Sequence, residues 1–136
     1  MPKRRRGSRA APRRPAVRHV AFEELVQRAL AGIPEPFRAA LDEVAIVIDD
    51  VPSRQQRLDN ELDDGEDLYG LYEGVPRTEY GADWAAVPNR ITLFRLPLEE
   101  DFADPAELAG EVRITVIHEL AHHLGIDDDR LDELGL

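Results

Sequence analysis

The sequence predicts an α+β domain. Three observations predict it: two helical patterns near the start, several short strand-like runs in the middle, and one long capped helix near the end. At 136 residues the chain has the length of one domain and can bury a modest core without cross-links. It holds no cysteine, which excludes disulfides, thiolate metal ligands and cysteine nucleophiles. No apolar run approaches the roughly 18 residues that span a bilayer. The basic start has no hydrophobic stretch behind it to form a signal peptide, so a cytoplasmic protein with no membrane association is expected.

The charge is divided unevenly. Residues 1–18 contain Lys3, Arg4, Arg5, Arg6, Arg9, Arg13, Arg14 and Arg18 and no acid, so the formal net charge of −11 resolves into +8 for this arm and −19 for the remainder. The arm is rich in proline and arginine and lacks helical or aromatic periodicity, which predicts a disordered tail with at most weak contact to polyanions. A domain is expected over 19–136. Its acidity repels phosphate and argues against nucleic acid as the main partner.

In the domain, Phe22, Leu25, Val26, Ala29 and Leu30 recur at helical spacing until Gly32 and Pro34. PEPFRAALDEV predicts a second helix, with Pro34 and Pro36 in its first turn. Val44 to Ile48, VAIVI, predicts a buried strand. The acidic stretch SRQQRLDNELDDGED predicts a surface loop; Gly65 and Gly70 fall where a calcium loop requires other residues. LYGLYE, Leu68 to Glu73, predicts a strand with Tyr69 and Tyr72 on opposite faces. TEYGADWAAVPN predicts a loop carrying Trp84, the only tryptophan. RITLFRLPL predicts another strand, and Pro97 places it at an edge because proline cannot donate to a ladder.

The final helix is defined by Asp104 as N-cap, Pro105 at its first position, Glu107 as the partner of a capping box and Gly125 as its stop. Apolar residues lie on most of its faces, which predicts burial between layers. It carries His118-Glu119-Leu120-Ala121-His122, an H-E-x-x-H pattern. At about 100° per residue, residues four apart lie one turn apart on one face. Two imidazoles so placed can share a zinc ion, and the intervening Glu119 can act as general base toward a water that the metal acidifies. His123 is rotated away by about 100° and is expected to be a second-layer or surface residue. A chain that turns at Gly125 can bring Asp128 back as third ligand, while Asp127 and Asp129 point elsewhere.

His118, Glu119, His122, Gly125 and Asp128 resemble the extended zinc signature of zincin metallopeptidases in its aspartate variant. VAIVID, LYGLYEGVP, RITLFRLPLE and VIHELAHHLGIDDDRLDELG together resemble the small bacterial zincin-like family sometimes called mini-zincins, over roughly residues 19–136. The resemblance implies a compact minimal zincin-like fold, with a small mixed sheet packed against the zinc helix and N-terminal helices. It implies Zn2+ held by His118, His122 and Asp128, Glu119 as catalytic base, and an edge strand, expected at Ile91 to Leu96, that pairs with a peptide or flexible protein segment. Three departures accompany it. Met1 is the only methionine, so there is no methionine turn. No tyrosine follows the motif, leaving Tyr69, Tyr72 and Tyr80 as upstream candidates. Eight residues follow Asp128, which predicts a cleft lacking its second wall. The sequence therefore predicts a zinc peptidase, with a non-catalytic metal-binding module that engages a protein partner as the alternative.

Overall fold

The longest element, α5 (Pro105–Leu124), organises the rest. The Asp104 carboxylate accepts from the Ala106 and Glu107 amides at 3.1 and 3.0 Å, satisfying donors that the first helical turn leaves open. Its other end closes on Gly125, whose φ of 74° is left-handed; the Ile126 amide reaches back to the Ala121 carbonyl at 2.8 Å. Replacing Gly125 by Ala is expected to lower stability by about 1 kcal/mol, measured by denaturant unfolding, because a Cβ disfavours that conformation.

The computed structural model describes residues 4–6, 19–74 and 89–135. The other elements are β1 (Arg4–Arg6), α1 (His19–Ala31), α2 (Phe37–Ala40) with a 3-10 turn (Leu41–Glu43), β2 (Ala45–Asp49), α3 (Arg54–Asp59), β3 (Asp67–Glu73), β4 (Arg90–Phe94), α4 (Arg95–Asp101) and α6 (Asp128–Glu133). This is an α+β fold around a small mixed sheet of order β1-β3-β4-β2. β4 is antiparallel to β3 and parallel to β2. The main core joins Phe22, Val26 and Ala29 of α1, Phe37 of α2, Ile91 and Leu93 of β4, and Val112, Val116 and Leu120 of α5. No described helix is long and apolar enough to cross a membrane. Tyr80 and Trp84 lie outside the described residues, as does most of the basic arm.

Several sequence expectations change here. β4 is central rather than an edge. The strand ends at Phe94, and Pro97 falls in the first turn of α4, where an amide has no intrahelical partner to lose. The buried Arg95 side chain fixes that transition by bonding Asp50 Oδ1 at 2.8 Å and Glu99 Oε1 at 2.7 Å. β2, expected to be buried, is a partly exposed edge strand. The expected acidic loop contains α3, started by a capping box in which the Ser53 side chain accepts from the Gln56 amide and the Gln56 side chain accepts from the Ser53 amide. Arg4–Arg6, expected within a disordered arm, forms a short strand antiparallel to β3.

Tyr69 and Tyr72 do not separate onto opposite faces; both join the main core, while Leu68 and Leu71 pack with Phe94 in a second cluster. The β1–β3 register explains the change: Arg4 faces Gly70 and Arg5 faces Leu68, so Tyr69 is skipped. An extra residue in a strand shifts the alternation of the residues on either side of it.

Candidate metal centre

Helix α5 lies along β3 with matched spacing. Four helical residues advance about 6 Å, and two strand residues advance about 6.6 Å. Thr115 and Glu119 therefore fall opposite Gly70 and Tyr72. A Cβ on Gly70 would stand 2.5 Å from Thr115 Cγ2 and 3.3 Å from the Thr92 carbonyl oxygen, so the helix approaches as closely as a bare backbone permits. One turn on, Glu119 Oε1 accepts from the Tyr72 amide at 2.8 Å. Gly70→Ala is expected to push α5 off the sheet and lower stability by about 1–3 kcal/mol, as overpacking does, read from the thermal midpoint.

That amide contact places the candidate base. Successive strand amides point to alternate sides, and the Tyr72 amide goes to Glu119 instead of a neighbouring strand. The Glu119 side chain is fully buried and stands at the edge of β3. Burial of a carboxylate is costly without donors, and the Tyr72 amide is one such donor.

His118 and His122 occupy successive turns of α5, both partly exposed. The His122 ring meets the Tyr72 ring edge-on, with centroids 5.1 Å apart. After the turn at Gly125, Asp127 caps α6 by accepting from the Arg130 amide at 2.9 Å. Asp128 is then the first residue of that helix, and its Oδ1 lies 3.6 Å from His118 Nδ1. Leu131, fully buried, pins α6 to the core and keeps Asp128 at this position. Asp129 is exposed. The structure thus brings Asp128 to His118, with His122 one turn away. Among the described residues, no group of three or more histidine, aspartate or glutamate side chains is placed to hold a metal ion; the His118–Asp128 pair is the close approach. The donor types suit zinc, and the turn delivers the carboxylate to the same end of the helix as both imidazoles.

His123 is completely buried, in contrast to a surface role. Its Nδ1 lies 3.1 Å from the Tyr72 hydroxyl and its Nε2 lies 3.5 Å from Glu43 Oε1. The Tyr72 hydroxyl also donates to Asn89 Oδ1 at 3.0 Å. Tyr72 is therefore tied to the helix three times: its amide to Glu119, its ring to His122 and its hydroxyl to His123. No spacing rule in the sequence links position 72 to position 119 or 123. A groove of about 460 Å3 lined by Phe22, Leu25, Glu99, Pro105 and Leu108 shares no residue with this centre.

The comparisons agree with this architecture. A conserved hypothetical protein from Thermo thermophilus has a similar structure, with a TM-score of 0.51 and 26% identity over 87% of this chain and 97% of that chain. No curated protein matches the sequence. The profile of the zincin-like metallopeptidase family matches residues 41–136, from the turn before β2 to the chain end. The chain belongs to the family of zincin-like metallopeptidases.

Proposed function

We propose that the protein is a zinc-dependent peptidase in which His118, His122 and Asp128 hold the ion and Glu119 is the general base. The observation that carries this reading is the return of Asp128 to within 3.6 Å of His118, on the helix that also presents His122 and Glu119. Bound zinc would supply Lewis-acid polarisation of a carbonyl and a more acidic water. Glu119 takes the proton from the attacking water and returns it to the leaving amine. The Tyr72 amide fixes one carboxylate oxygen, so the base is oriented before substrate arrives. A peptide or flexible protein segment suits this site because an extended chain can pair with the side of β3 that leads to Glu119, where Arg4–Arg6 already pairs as a strand.

A metal-binding module without catalysis is the second reading, favoured by the complete burial of Glu119. A peptide-library digestion by the zinc-loaded protein separates the two. Cleavage lost in Glu119→Gln supports the peptidase; equal cleavage by both proteins, or none by either, removes it.

A further inference from the structure

β1 lies on the edge that leads to the candidate base. Arg4–Arg6 runs antiparallel to β3, with Arg4 opposite Gly70. Gly70 is two residues from Tyr72, whose amide is held by Glu119. The edge of β3 is thus occupied by the chain's own N-terminal arm up to the position where the carboxylate takes over. On the opposite side of β3, every described pairing is with β4.

We infer that this edge is a binding cleft for extended, arginine-rich segments, and that Arg4–Arg6 occupies it as an internal substitute for a peptide in trans. The inference rests on the peptidase reading only in taking the edge to be the substrate's. Backbone pairing gives such a cleft its generic affinity for extended chain. Charge gives it a preference: the arm carries +8 and the body −19, so a basic strand is drawn to the body and an acidic one is repelled. Tethering raises the local concentration of the arm far above that of a free peptide, so the arm restrains access to Glu119. Leaving the edge gives it up to competitors.

The test uses the full chain with two paired substitutions. Arg4→Pro with Arg5→Pro removes both amides, one of which must face β3, and so breaks the pairing. Arg4→Ala with Arg5→Ala removes the same two charges and keeps both amides. The probe is a synthetic peptide of residues 1–10, MPKRRRGSRA. In the proline pair, amide exchange at residues 67–70 is expected to rise at least about tenfold, with the peptide binding at least about tenfold more tightly than to the parent chain. The alanine pair is expected to keep most of the exchange protection. Unchanged exchange and unchanged peptide affinity in the proline pair would overturn the inference, as would equal effects of the two pairs. Exchange and binding that respond as expected, without cleavage by any variant, sustain the cleft and remove the peptidase reading.

Discussion

Glu119→Gln is expected to keep zinc and lose peptide cleavage by about 10²–10⁴-fold, the usual contribution of a positioned general base. The glutamine retains the size of the buried side chain and an oxygen that can accept from the Tyr72 amide, which Glu119 holds at 2.8 Å. Fold and helix position therefore persist while the proton acceptor is lost. Glu119→Ala is a poorer probe, because it strands a buried donor and opens a cavity, at a cost of about 1–3 kcal/mol for the donor alone. The measurement is kcat/KM on a cleaved peptide alongside zinc content. Unimpaired cleavage by the glutamine variant would contradict the assignment of the base.

Leu131→Ala is expected to lower stability by about 2–5 kcal/mol if α6 unfolds only with the whole domain. Leu131 is fully buried and is the one buried residue of α6. If α6 detaches locally instead, the thermal midpoint changes less and the effect appears at the metal, since Asp128 depends on that helix for its place beside His118. In that second case zinc affinity is expected to fall at least about tenfold, equivalent to about 1.4 kcal/mol, without any change to a ligand. Competition against a chelator measures it. Unchanged affinity in a variant whose α6 amides exchange faster than the rest of the domain would show that Asp128 does not hold the metal.

The residues of the candidate site were legible because they lie close together in sequence. His118, Glu119, His122, Gly125 and Asp128 fall within eleven positions, and helix periodicity with a glycine stop relates them without tertiary information. The cap at Asp104 and the turn at Gly125 followed from the same local rules. What escaped was non-local. The placement of β4 at the centre depended on its neighbours in the sheet, and Pro97 signals an edge only while its residue lies in a strand. The Tyr72–Glu119 contact spans 47 positions and depends on a helix laid along a strand at Gly70. Rotation away from the metal face left His123 open to either a second-layer or a surface place, and the structure selects the buried one. On a helix buried from several sides, that rotation leads inward to Tyr72 and Glu43. The helix α3 was a local miss, since Ser53 and Gln56 already stood at capping-box spacing.

The measurement closest to the central claim is the zinc content of the purified full chain and three variants, His118→Ala, His122→Ala and Glu119→Gln, after equilibration with zinc and gel filtration. Two helical imidazoles and the returning Asp128 carboxylate predict about one zinc per chain in the parent and in Glu119→Gln, and its loss in both histidine variants. A parent chain that retains no zinc, or histidine variants that retain it fully, would contradict the account.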